Sequence, residues 1–356
     1  MHFASDNTGP AHPKVLDAVI AANQGYAMPY GADDMTRAVE ARIREIFEAP
    51  SAIVHLVTTG TAANTLSLAA LTRPFETIFC SACAHIYEDE CNAPSLITGG
   101  ATLTLAEAPD GKMTPDSLTR AIETQGDRGV HGRDRGVHGP QRGPVSITNV
   151  TERGSVYSVA ELEALTALAK SYGLSVHLDG ARFANAVAAT NASPADMSWR
   201  AGVDVLSFGG TKNGCLGVEA VVFFKPQHAW EFELHRKGAG HLLSKQRYLA
   251  AQMLAYLEDG LWLDMARASN AANARLIEGL STLPGTEILY DPSANITFAR
   301  LPRAMHQRLH DAGAEYHIMQ GSLEGDDPAE PLLARFVADW SASAADTEAF
   351  LTAARG

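Results

Sequence analysis

What most constrains this chain is a rhythm between residues 53 and 224, where short apolar runs alternate with longer amphipathic stretches. The runs 53–58, 77–80, 101–105, 145–150, 174–179, 203–208 and 218–224 are near-continuous in apolar character. They read as strands buried on both faces. The stretches 61–71, 115–124, 159–172 and 194–201 carry helical spacing, with Gly or Ser at the junctions. Strand and helix in turn predict an α/β fold, a mostly parallel sheet with helices on both faces.

Outside this core the pattern changes. Residues 13–23 and 35–47 read as helices, and Pro13 suits a first helical turn. A long helical stretch runs over 244–280. A final βαβ-like unit follows, with strands at 287–290 and 295–301, a helix at 304–312, a strand at 333–337 and a closing helix. The expected division is a large domain over 1–243, a linking helical stretch over 244–280 and a small C-terminal α/β domain over 281–356.

The 356 residues are 46% hydrophobic, enough for a sizeable core. With 28 basic and 41 acidic side chains the net charge is −13, a field that repels a phosphate backbone and argues against nucleic acid as the main partner. A local cationic pocket for a small anion stays compatible with that average. No apolar run is long enough for a membrane span, and the start, Met1-His-Phe-Ala-Ser-Asp-Asn7, lacks the pattern of a signal peptide. Cys80, Cys83, Cys91 and Cys215 are too few for a disulfide scaffold, so a cytoplasmic protein with free thiols is expected.

Three junctions can carry chemistry. The first strand runs into Thr59-Gly60-Thr61-Ala-Ala-Asn64, where the N–H groups opening a helix either meet an N-cap or cradle a phosphate. The strand at 174–179 ends in Asp179, followed by Gly180-Ala-Arg182; this carboxylate is either another N-cap or a partner for a ring nitrogen. Lys212 follows the strand at 203–208 in the Gly-rich stretch Ser207-Phe-Gly-Gly-Thr-Lys212-Asn-Gly214, as a solvated lysine or a nucleophilic amine. Taken together, phosphate cradle, carboxylate and lysine are the set that pyridoxal phosphate requires.

The same stretches, with His177-Leu-Asp179-Gly-Ala-Arg182-Phe-Ala-Asn185, resemble those of the threonine aldolases. These are fold-type I pyridoxal-phosphate enzymes of the aromatic amino acid β-eliminating lyase group. Ser5-Asp6-Asn7, Arg236-Lys-Gly-Ala-Gly-His241-Leu-Leu-Ser-Lys245 and Leu261-Trp-Leu263 resemble the low-specificity and phenylserine aldolase branch. The similarity runs from about Phe3 to the closing helix.

The resemblance implies roles residue by residue. Lys212 would form the Schiff base with the cofactor, and Asp179 would keep the ring nitrogen protonated. Gly60 and Thr61 would bind the phosphate, helped by Lys237 or Lys245 of a neighbouring subunit. His85 would stack on the ring, and Arg182 would sit near the ring hydroxyl and the substrate carboxylate, which Ser5 and Arg335 would clamp. Tyr30 would reach the adjacent subunit's site. Such sharing implies a homo-oligomer, at least a dimer and by family habit a tetramer. The implied reaction cleaves L-β-hydroxy-α-amino acids to glycine and an aldehyde. Competing readings are a pyridoxal-phosphate β-eliminating lyase or aminotransferase.

Retro-aldol cleavage needs a base for the β-hydroxyl proton, and histidine is the usual choice. His85 is one candidate. A second comes from a tandem copy, Asp127-Arg-Gly-Val-His-Gly-Arg133 followed by Asp134-Arg-Gly-Val-His-Gly-Pro140, which reads as a loop. By the same resemblance, aligned backward from the following strand, His138 occupies the family's position and is preferred there over His131. From a different class, Cys80, Cys83, His85 and Cys91 offer a Cys₃His zinc-site pattern, and with it a metal-stabilised binding protein.

Overall fold

The computed structural model describes residues 1–125 and 136–356. Its centre is a seven-stranded sheet of order β1-β7-β6-β5-β4-β2-β3. The strands are β1 (Ile53–Val57), β2 (Glu76–Ser81), β3 (Thr102–Ala106), β4 (Gln141–Thr148), β5 (Val176–Gly180), β6 (Val205–Gly209) and β7 (Glu219–Phe223). From β3 across to β6 neighbouring strands run parallel, while β7 runs antiparallel between β6 and β1. Strands β5, β6 and β7 are buried at every position, which explains their unbroken apolar runs.

Helices cover both faces. The helix Gly60–Leu71 starts directly behind β1, with the Thr59 hydroxyl accepting from Ala62 N at 3.1 Å as an N-cap. The helix Val159–Ser171 begins with a capping box between Ser158 and Glu161. An aromatic cluster packs beneath the end of β6: Phe208 lies 5.6 Å from Phe47, 5.8 Å from Phe183 and 5.5 Å from Trp262, centroid to centroid. Edge contacts of this kind add about 0.5–1.5 kcal/mol each beyond area burial. They anchor the strand that leads into Lys212.

The expected stretch 244–280 is two helices, Arg247–Leu257 and Leu261–Ser281. They are parted where Asp259 (φ 50°) and Gly260 (φ 74°) turn left-handed. The expected helix 194–201 is a series of turns: Ala195 O accepts from both Ser198 N and Arg200 N, so no regular four-residue spacing is established.

The C-terminal part corrects the βαβ expectation. Its four-stranded sheet has order β10-β11-β9-β8, with β8 (Glu287–Leu289), β9 (Ile296–Pro302), β10 (His317–Gln320) and β11 (Pro331–Val337), and every pairing is antiparallel. The helices Arg303–Asp311 and Ala344–Arg355 pack against one another beside it. Phe3, Tyr316, Phe336 and Phe350 sit together in its core. Among the described residues no helix is long and apolar enough to cross a membrane.

Candidate active site

The parallel strands aim their carboxyl ends at one edge, and the chemistry gathers there as open α/β sheets favour. A cavity of about 250 Å³ is walled by Asn7, Thr58, Thr59, Gly60, Thr61, Asn64, His85, Asp179, Ala181, Thr211, Lys212 and Glu219. The structure thus brings the three junctions together, each from a different strand end: Gly60 and Thr61 behind β1, Asp179 at the end of β5, Lys212 behind β6.

Each is held by its surroundings. Asp179 Oδ1 accepts from Ala181 N at 3.0 Å and Oδ2 from Asn64 Nδ2 at 2.9 Å. His177, on the same strand, links Ser146 on β4 to Ser207 on β6 through its two ring nitrogens, each at 2.9 Å. Burial pushes its pKa down to about 4, so the ring is a neutral crosspiece behind the site. Gly209 permits the close approach of β6: a Cβ there would lie 2.3 Å from Ala181 O.

A pyridoxal-phosphate group fits this donor set. The opening N–H groups of the helix Gly60–Leu71 have no partner within the helix. A Cβ built on Gly60 would meet no protein atom within 4 Å, so the space before that turn is open. Asp179 is buried and shares the cavity wall with Lys212.

Carboxylates overlooked by sequence reasoning complete the site. Glu219, fully enclosed at the start of β7, accepts from Gly210 N at 2.8 Å and from the Thr211 hydroxyl. Burial raises its pKa to about 7, although Lys212 pulls the other way. A charged residue inside the apolar run Glu219-Ala-Val-Val-Phe223 was the available signal. Glu90 has its side chain enclosed, and its Oε1 lies 2.8 Å from His85 Nδ1 and accepts from Asn64 Nδ2 at 3.0 Å. The Glu90 hydrogen bond raises the His85 pKa more than burial lowers it. Glu152, just beyond β4, adds its field to both His85 and Arg182.

Other expected residues lie outside the cavity wall. Arg182 is buried, but its guanidinium is engaged by Asp6, with Nε 2.6 Å from Oδ2 and Nη2 3.0 Å from Oδ1. The Nε–Nη2 edge of the guanidinium is thus held by Asp6. Burial alone would raise the Asp6 pKa, yet Arg182 and then Lys212 bring it below the usual carboxylate value. Ser5 takes part in a turn, its Oγ accepting from Asn7 N at 3.1 Å. Arg335 stands on β11 with its Nε buried and without a hydrogen-bond partner.

Tyr30 and Lys237 are exposed and meet each other, Nζ 4.9 Å from the ring centroid; Lys245 is exposed as well. Within one chain these three do not join the cavity. His138 is exposed in a turn at Gly136–His138, before the amino end of β4. The cavity lies at the carboxyl ends, and β4 alone spans roughly 23 Å at 3.3 Å per residue. His138 therefore does not act as base in its own chain's cavity, contrary to expectation, and His131 lies outside the described residues. The zinc alternative finds no geometry either: Cys80 and Cys83 are buried, Cys91 is exposed, and His85 Nδ1 is bonded to Glu90. Among the described residues no group of three or more potential ligands converges.

Comparison with known proteins agrees with this architecture. Residues 2–302 match the β-eliminating lyase family. The chain is 38% identical to a low specificity L-threonine aldolase of Pseudomonas aeruginosa, over 95% of this chain and 92% of that protein. It is 37% identical to another from a Pseudomonas species, over 90% of each. Among solved structures, a threonine aldolase of Leishmania major superposes with a TM-score of 0.88 at 26% identity, covering 99% of this chain and 98% of that one.

Proposed function

The chain belongs to the β-eliminating lyase family, among the L-threonine aldolases, and on that premise we propose that it cleaves L-β-hydroxy-α-amino acids to glycine and an aldehyde and runs the reverse addition. Substrates of the threonine, allo-threonine and phenylserine type suit the reading. The observation that carries it is the convergence of Gly60–Thr61, Asp179 and Lys212 on one cavity.

Pyridoxal phosphate is the cofactor of this family; when bound it supplies an aldehyde that amines capture and a ring that accepts the electron pair of a breaking bond. In this reading Lys212 would be the residue whose Nζ amine holds the cofactor's aldehyde group. Asp179 keeps a proton on the ring nitrogen, which makes the ring the better electron acceptor. The helix start at Gly60 and Thr61 takes the phosphate through backbone N–H groups and the local dipole. Arg335, whose buried Nε lacks a partner, takes the substrate carboxylate with Ser5 beside it, while Arg182 contributes charge from behind Asp6. This grip sets which bond at the α-carbon stands perpendicular to the ring. His85, in the cavity wall, would lie over the cofactor and would take the β-hydroxyl proton at Nε2.

We read the working form as a homo-oligomer, a dimer at least and a tetramer as a dimer of dimers. Tyr26, Met28, Tyr30 and Trp230 are largely exposed apolar side chains, and Tyr30 and Lys237 are not among the residues that wall their own chain's cavity. Both features suit a site completed by a second copy. Four free thiols suit cytoplasmic residence. The test is product analysis with purified protein and phenylserine: benzaldehyde and glycine in equal amounts support the reading, and phenylpyruvate with ammonia defeats it.

A further inference from the structure

A chain of hydrogen bonds crosses the floor of the cavity. Asn64 Nδ2 donates to Asp179 Oδ2 at 2.9 Å and to Glu90 Oε1 at 3.0 Å, and the same Oε1 lies 2.8 Å from His85 Nδ1. The Asn64 orientation is settled by chemistry, since its oxygen would be repelled by two carboxylates where its NH₂ group satisfies both. Glu90 offers only acceptors when ionised, so the proton between it and the imidazole sits on Nδ1 and Nε2 keeps its lone pair.

We propose that Glu90 is a positioning residue for the aldol reaction, fixing His85 as the Nδ1–H tautomer with Nε2 as the base, while Asn64 ties this pair to Asp179. The proposal rests on the reading of His85 as base given above. Three further observations support it. The Glu90 side chain is wholly enclosed, and its Oε2 has no partner, so its placement is costly unless Oε1 is used. Two consecutive non-glycine residues in the left-handed region, Cys91 (φ 48°) and Asn92 (φ 60°), follow Glu90 directly. Such conformations cost on the order of 1–3 kcal/mol each and persist where the surroundings enforce them. Lastly, the Glu90 bond is the largest influence on His85, whose other charged neighbours are Asp179, Glu152 and Lys212.

The test begins with apoprotein labelled with ¹⁵N-histidine. Long-range ¹H–¹⁵N correlation is expected to show neutral His85 protonated on Nδ1 in the wild type. In Glu90→Leu the preference should be lost, and in holoenzyme kcat for threonine should fall about 10-fold or more with KM within about threefold. In Glu90→Gln, which keeps an acceptor but removes the charge, the acid limb of kcat/KM should move to lower pH because His85 loses the interaction that raises its pKa. A wild-type His85 protonated on Nε2 overturns the proposal without any variant, even if Glu90→Leu fails to fold. A kcat in Glu90→Leu within twofold of wild type also overturns it. Absence of glycine release by the wild type, with Nδ1–H observed, would defeat the functional reading while leaving the tautomer assignment standing.

Discussion

Arg182 grips Asp6 with two parallel hydrogen bonds, at 2.6 and 3.0 Å, and Asn295 adds a third to Asp6 Oδ2 at 3.1 Å. The pair is buried and joins three distant pieces of chain: the N-terminal segment, the turn behind β5 and the entry to β9. The N-terminal segment is thereby tied to the turn behind β5 and to the entry of β9, next to the cavity whose wall includes Asn7.

Asp6→Asn should be strongly destabilising, because it leaves the Arg182 charge buried without its counter-ion. Breaking one side of such a pair costs about 3–5 kcal/mol. The pH dependence has a definite sign. The folded-state pKa of Asp6 lies below its unfolded value, so the pair contributes fully above the unfolded carboxyl pKa and is lost as pH falls through the folded one. Urea unfolding of wild type and variant should show the gap narrowing in acid; a constant gap from pH 7 down to 2 would contradict this.

Glu219 should act in the opposite direction. Its pKa near 7 exceeds the unfolded value of about 4.3, so folded apoprotein holds a proton that unfolded chain has released across that window. Stability therefore declines as pH rises from about 4.3 to 7, by on the order of 3 kcal/mol from this residue alone. In Glu219→Gln that decline should disappear, and the variant should gain on the wild type as pH rises. Apoprotein unfolding followed by circular dichroism checks it.

Gly209→Ala should disturb the site through backbone. The added methyl would meet Ala181 O at 2.3 Å, between the Asp179 turn and the Lys212 turn. Relief requires the strands to part, at a typical overpacking cost of about 1–3 kcal/mol. Both Tm and cofactor affinity should fall; unchanged affinity would show that the two turns are independent.

Asp179→Asn should lower kcat rather than raise KM. A charge-assisted hydrogen bond worth about 1.5–3 kcal/mol is lost at the ring nitrogen, which corresponds to roughly 10- to 100-fold in rate. Steady-state kinetics at saturating cofactor would separate this from weakened binding.

The centre of the large sheet was legible because β5, β6 and β7 are buried at every position and leave unbroken apolar runs, while β1 and the outer β3, less buried, were marked by the helices and turns that bound them. β10 left no such trace: three of its four residues are exposed, and nothing in the run from His317 to Gln320 alternates. The antiparallel order of the small sheet was equally hidden, since pairing direction depends on tertiary placement. Lys212, Asp179 and Gly60 were legible as candidates because each lies at or just beyond the end of a strand. Asp6 and Glu152 act on residues far along the chain, and Glu90 is one of three consecutive acidic residues, Glu88-Asp89-Glu90, so no local pattern singles them out. For His138, proximity to a strand in sequence did not say which end of the sheet it lies at, and it stands before the amino end of β4.

The most direct measurement mixes purified holoenzyme and its Lys212→Ala variant with L-threonine and follows products. The account predicts glycine and acetaldehyde in equal amounts from the wild type, and none from the variant even though it remains folded. Formation of 2-oxobutanoate and ammonia in their place, or undiminished cleavage by Lys212→Ala, would contradict it.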